Sequence, residues 1–270
     1  MVLALATAIA ASSSEDGGFS APSVSEFFPG TLLFEGTPFA MTRINLIGLL
    51  MTGLLSLFFV LAFAKPKFVP SGLQNFAEWA VEGMERAIVW EVLGAKGKKY
   101  APYLLSMFFI LVAFNVTGII PFMNIPVTSV IGVPLLFAVV AWIVFNVEGA
   151  RALGVGPYLK ANLFPPGIPK PIYLLVTPIE FISTFILRPV TLTIRLLANM
   201  MAGHLLLVLF FSAAWYFLIE GDALMKLFAI PSYAMGLAFT LFEILVIFLQ
   251  AYIFTLLTAV YIDGATSAEH

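Results

Sequence analysis

Residues 172–219 and 223–262 form two predominantly apolar runs of 48 and 40 residues, separated by only three residues. As unbroken helices they would measure about 72 and 60 Å at ~1.5 Å per residue, roughly twice the ~30 Å of a bilayer's hydrocarbon core. Either each run folds back into two spans, or each crosses once at a steep tilt. Periodicity does not choose between these, although Pro189 offers a place for a bend in the first run.

The rest of the chain agrees with a membrane as its solvent. Hydrophobic residues make up 61% and charged residues 10%, with a mean hydropathy of +1.04. Water-soluble domains carry about one quarter charged residues, so this chain lacks the polar surface such a domain needs. The net charge of -2 comes without any basic cluster interleaved with aromatics, which argues against nucleic acid as a partner. With no cysteine, disulfides and thiolate metal sites are excluded. The opening "MVLALATAIAASSSEDGG" has the apolar run and small residues of a signal peptide but not its positive start.

Residues 1–40 read as a polar segment outside the membrane, and 41–270 as one membrane domain. Within it, spans are expected at about 44–64, 103–120, 127–147, 172–219 and 223–262. Residues 73–93 differ: Leu73, Phe76, Ala80, Met84 and Ala87 repeat at helical spacing, while Glu78, Glu82 and Glu85 share another face. This predicts an amphipathic helix in the interface, with Trp79 and Trp90 at headgroup depth, or one packed on a partner. The loop 148–171 reads as polar and proline-stiffened. With one crossing per long run, the fold class is an all-α integral membrane protein of five crossings and one interfacial helix. Loop 65–101 holds Lys65, Lys67, Arg86, Lys96, Lys98 and Lys99, and loop 148–171 adds Arg151, Lys160 and Lys170. The positive-inside rule puts both loops and the C-terminus in the cytoplasm, with the N-terminus outside.

Chemistry is concentrated in the two long runs. Arg195 carries a charge that deprotonation cannot remove, at a cost of ~2.5–3.5 kcal/mol or more at mid-membrane. Arg188, seven residues earlier, and Asn199, one turn later, fall on the same helical face, and His204 lies close to the opposite one. In the last run Glu243 and Gln250 are seven apart and share a face. An imidazole at His204 and a buried carboxylate at Glu243 form a pair able to pass protons near neutral pH. Blander readings stand beside these. Arg188 can snorkel or pair with Glu180, Asn199 and Gln250 can act as interhelical glue, and Met200 and Met201 can fill core. The "NVT" at Asn115 lies within a span, where it serves packing. The chain offers no carboxylate obviously placed for Arg195, so its anion is expected from another subunit. A carboxylate meeting that cation loses its proton, while the fixed charge blocks direct proton leakage.

The stretches "PSGLQNFAEW", "NVTGIIPF", "LRPVTLTIRLLANMMAGHLL" and "LFEILVIFLQAYIFTLLTAVYI" together resemble subunit a of bacterial F-type ATP synthase, over roughly residues 65–262. Arg195 matches that family's essential arginine, and Asn199, His204, Glu243 and Gln250 match its proton-path residues. Some relatives hold the acid at the position of His204 and the histidine at that of Glu243, an exchange that supports pairing. Glu180 sits one residue off the acid associated with the cytoplasmic half-channel, which leaves the parts of Glu180, Ser183, Thr184 and Arg188 in that channel less defined. The resemblance implies single, steeply tilted last helices, two half-channels offset around Arg195, a ring of c subunits and peripheral-stalk b subunits as partners, no cofactor or metal, and the bacterial plasma membrane as the location.

The nearest rival class is a self-contained proton-coupled secondary transporter, which would show repeated halves and broken helices; neither is visible. An intramembrane hydrolase lacks Cys, HExxH and a clear serine, and His204 is the only non-terminal histidine. No GxxxxGK[ST] phosphate loop is present, so ATP chemistry is expected elsewhere.

Overall fold

The computed structural model describes residues 19, 22–23, 27, 30–33, 41–120, 123–164 and 172–267. A short antiparallel pair, β1 (Thr31–Leu33) with β2 (Met41–Thr42), precedes a chain that is otherwise helical. Helix α1 (Arg43–Phe63) starts where the Thr42 hydroxyl accepts the Asn45 N–H at 3.4 Å, a side-chain cap for an otherwise orphan donor. Its Leu49, Leu50, Leu54, Leu57, Val60 and Leu61 are exposed, as suits a helix whose solvent is hydrocarbon.

The amphipathic interval is helical throughout: α2 (Leu73–Met84), a π-helical segment (Glu85–Trp90) and a last turn (Glu91–Leu93). The residues it buries are not those of the apolar stripe. Gln74, Ala77, Ile88 and Val89 are buried, whereas Phe76 and Trp79 are 58% and 72% exposed. Gln74 holds the segment that follows α1, accepting the Lys67 N–H and donating to the Lys67 carbonyl, each at 3.0 Å.

Helix α3 (Ala101–Val116) has 16 residues and stops short of the expected end at 120. The cause lies in "NVTG": the Gly118 N–H turns back to the Asn115 carbonyl at 3.1 Å, and the Thr117 hydroxyl accepts the Val127 N–H at 3.2 Å. Helix α4 (Gly132–Leu153) is displaced toward the C-terminus relative to 127–147. Residues Val127–Ser129 form a 3₁₀ turn, and Thr128 donates to the buried Asn115 side chain. Helix α5 (Val155–Leu163), unforeseen in a loop read as polar and proline-stiffened, follows a break at Gly154, where φ is 85°. The "PPGIPKP" stretch at 165–171 lies outside the described residues.

The long runs each form one continuous helix, α6 (Tyr173–Ile219, 47 residues) and α7 (Ala223–Thr266, 44 residues), not a pair of spans. Pro189 and Pro231 lie within them without ending them. By length and composition α1, α4, α6 and α7 are four helices able to cross a membrane, and α3 is a shorter apolar helix. The molecule is thus an all-helical, multi-pass membrane protein, with the small β pair as its exception.

Two compact units divide the chain. One comprises residues 1–54, 111–130 and 197–250, the other 55–110, 131–196 and 251–270. In the first, Met200, Val246 and Ile247 form a buried cluster against Val112, Val116 and Ile119. In the second, Phe145 is fully buried, its ring 5.6 Å from that of Tyr261, and Tyr158 covers Gly149 so closely that a Cβ there would collide with it.

Candidate functional site

The second unit holds the first half of α6. Its α-helical Tyr173–Phe181 passes into a π-helical segment, Ile182–Leu187, and returns to α-helix from Arg188. The widened turn is marked by the Arg188 N–H reaching the Ser183 carbonyl, five residues back. Pro189 gives the reason: it has no N–H to offer, and its ring crowds the carbonyl four residues earlier, at Phe185. Thr184, on this segment, is buried, and Ser183 and Glu180 are partly exposed.

Arg188 does not pair with Glu180, since no ion pair joins them among the described residues. Its guanidinium lies over Tyr261 at 5.0 Å from the ring centroid and over Phe145 at 5.9 Å, a cation–π arrangement. Arg195 is different. Its side chain is exposed and makes no hydrogen bond or ion pair among the described residues. A membrane-crossing helix thus presents a permanent cation outward, toward whatever lies beyond the chain.

The first unit gathers the other polar groups. The Asn199 amide donates to the Gln250 carbonyl oxygen across 3.5 Å, linking α6 to α7 by a long hydrogen bond. The Gln250 nitrogen is buried and has no partner among the described residues. His204 is 5% exposed, its ring edge-on to Phe27 at 5.3 Å, and its Nδ1 is buried without a partner among the described residues. Glu243 is also 5% exposed. Its carboxylate rests against Gly203, the residue before His204, so closely that a Cβ on Gly203 would overlap both oxygens. No hydrogen bond or ion pair joins His204 directly to Glu243 among the described residues. Glu243, on α7, thus meets α6 at Gly203, one residue before His204, and the buried polar atoms here point to further partners.

Sequence reasoning passed over two features. One is Gly203, whose missing side chain lets the acid approach; its place beside His204 was the only signal. The other is Glu148, almost fully buried at the end of α4, which accepts from Lys99, from the Tyr100 hydroxyl at 2.8 Å and from Arg151 at 2.9 Å. The Glu148 carboxylate in turn holds the Lys99 ammonium above its ordinary value of 10.5. The i,i+3 spacing of Glu148 and Arg151 was legible; the partners 48 and 49 residues away were not. Among the described residues, no group of three or more His, Cys, Asp or Glu is placed to hold a metal.

Among the described residues, the chain thus combines long apolar helices with an arginine that has no partner, an amide pair and a buried acid against Gly203. The chain belongs to the ATP synthase A chain family, whose pattern it matches over residues 45–263, and it is a bacterial-type subunit a of F-type ATP synthase. It is similar to the ATP synthase subunit a of Rhodococcus erythropolis, 50% identical over 93% of this chain and 92% of the relative. The subunit a proteins of Parafrankia sp. and Frankia alni are 40% and 42% identical, over 94% and 85% of this chain and 86% and 78% of theirs.

Proposed function

We propose that this chain is the proton-translocating stator subunit of the F0 sector, with Arg195 facing the carboxylates of a c-ring. The observation that carries the reading is the Arg195 side chain, exposed on a membrane-crossing helix with no partner among the described residues. An uncompensated guanidinium there is costly unless an anion arrives from outside the chain. A ring carboxylate supplies that anion, and on arrival the cation draws its proton off.

In this reading a proton enters from the outer side through the region of His204 and Glu243, with Asn199 and Gln250 lining the same path. Water bridges the one-residue step between the imidazole and the carboxylate. The proton neutralises a ring carboxylate, which then moves through lipid. After nearly a full turn the proton leaves through an inner half-channel in which Glu180, Ser183, Thr184 and Arg188 take part. Each charge crossing ~100 mV contributes about 2.3 kcal/mol, so several protons drive one ATP. ATP is made on other subunits. The short helix α3 joins the four long ones as a fifth crossing, α6 and α7 cross at a steep tilt, and peripheral-stalk b subunits hold the chain in place. Residues 41–270 act as one membrane domain in the bacterial plasma membrane. Residues 1–40 lie outside and the C-terminus lies in the cytoplasm.

The test is Arg195→Ala in the assembled complex, in inverted vesicles. ATP-driven proton pumping should disappear while passive proton leak persists, and Arg195→Lys should restore little, because an ammonium is a point charge that can deprotonate when desolvated. Near-normal pumping by the alanine variant would overturn the assignment.

A further inference from the structure

Glu180 and Arg188 are eight residues apart, whereas Arg188 and Arg195 are seven apart. In a regular α-helix eight steps of ~100° leave Glu180 about 80° away from Arg188, off the stripe that joins the two arginines. The π-helical segment Ile182–Leu187 lies between them. A π turn contains one residue more than the α turn it replaces, so the eight residues turn through the angle of seven α steps and the offset shrinks to about 20°. That is the same offset that separates Arg188 from Arg195.

Exposure between Glu180 and Arg188 agrees with this corrected register, while Arg195 is exposed. Glu180 and Arg188 are partly buried and Thr184 between them is 1% exposed, while Ile179, Phe181 and Leu187 are each about half exposed. A strict seven-residue repeat is also the spacing that keeps a stripe facing one neighbouring surface along the length of a helix.

We propose that the π turn is a register device that keeps Glu180 in the seven-residue stripe of Arg188 and Arg195. Pro189 sets it, by withholding the N–H that a regular turn requires and crowding the Phe185 carbonyl. Glu180 is thereby kept in angular phase with the two arginines, and the extra residue is absorbed without moving the cations. The inference rests on the stator reading for its activity assay, but not for its geometry.

Deletion of one residue inside the π turn and deletion of one residue outside it separate the two. Deleting Ile186 together with Pro189→Ala should convert the segment to α-helix with both flanks in phase, and proton pumping should stay within about twofold of the parent. Deleting Val190, between the arginines, should lower pumping by about 100-fold in complexes that still assemble, the scale expected of a misplaced reacting group. Equal losses, or equal tolerance, would overturn the register device. A substitution-only variant covers failure of the deletions to assemble. Glu180→Phe with Phe181→Glu moves the acid to seven residues before Arg188, into phase for a regular helix but out of phase across a π turn. Pumping should fall as far as in Glu180→Gln; pumping at the parent level would show that the helix acts as regular and the device does not exist. If Glu180→Gln alone leaves pumping intact, the inner half-channel role of Glu180 fails, and the contrast between the two deletions still decides the register.

Discussion

The Glu243 carboxylate occupies the space a side chain on Gly203 would need. Glycine at 203 is therefore a condition for the acid's position, not a weak spot in α6. In an ordinary helix interior alanine would stabilise by about 0.5–1 kcal/mol relative to glycine. Here Gly203→Ala should push the carboxylate away and slow ATP-driven proton uptake by about tenfold, with the complex still assembled. Adding Glu243→Asp, which shortens the acid by one methylene, should recover part of that loss. No recovery in the double variant, measured in the same vesicles, would mean that the contact does not govern uptake.

His204 and Glu243 are close through Gly203 but not hydrogen-bonded to each other. Under the relay proposed above, His204→Ala and Glu243→Gln each remove one proton carrier and should each slow uptake. The exchange His204→Glu with Glu243→His keeps one acid and one imidazole in the same space. It should regain more activity than the two single losses predict, since neighbouring groups are not additive. Uptake rates for the four proteins between roughly pH 6 and pH 9 complete the cycle, a range chosen to span imidazole titration. Strictly additive losses would assign the two side chains to separate steps.

Glu148 ties α4 to the Lys99–Tyr100 segment. Glu148→Gln should lower the thermal stability of the purified complex, by about 1.5–3 kcal/mol for the lost charged hydrogen bonds. The pH dependence follows from Lys99, whose ammonium that carboxylate holds above 10.5. A raised lysine value contributes stability that is fully present below the unfolded value and is lost as pH rises through the folded one. The gap in melting temperature between parent and variant should therefore be flat through neutral pH and narrow as pH rises above about 10.5. A gap that closes near neutrality would point to a different group.

The chain contains no cysteine, so single cysteines report cleanly on sidedness. Lys98→Cys should react with a membrane-impermeant thiol reagent only from the cytoplasmic side. Asp222→Cys, in the exposed turn between α6 and α7, should react only from outside. Labelling from the opposite faces would invert the orientation and the direction of both half-channels.

The long apolar runs announced α6 and α7, and interhelical pairing was one of the readings open to Asn199 and Gln250. The failures have physical causes. The inward face of 73–93 was not legible, because in a membrane protein apolar Phe76 and Trp79 can face the lipid while a polar Gln74 is buried. The end of α4 was placed too early because Glu148 reads as a polar stop, whereas Lys99, Tyr100 and Arg151 satisfy its carboxylate within the fold. The π turn before Arg188 was not legible because a linear sequence does not display how many residues a turn holds. Helix α5 went unseen since nine residues among prolines and glycines carry little periodic signal.

The clasp between Gln74 and Lys67 has a mechanical meaning. Two amide hydrogen bonds side by side, one in each direction, resist sliding together, since neither can be stretched without loading the other. They sit where the chain leaves α1 and enters the helix at 73–93. A part that stays still while its neighbour turns must return an equal and opposite twist. A joint loaded in shear, and not peeled open bond by bond, returns it with the least give.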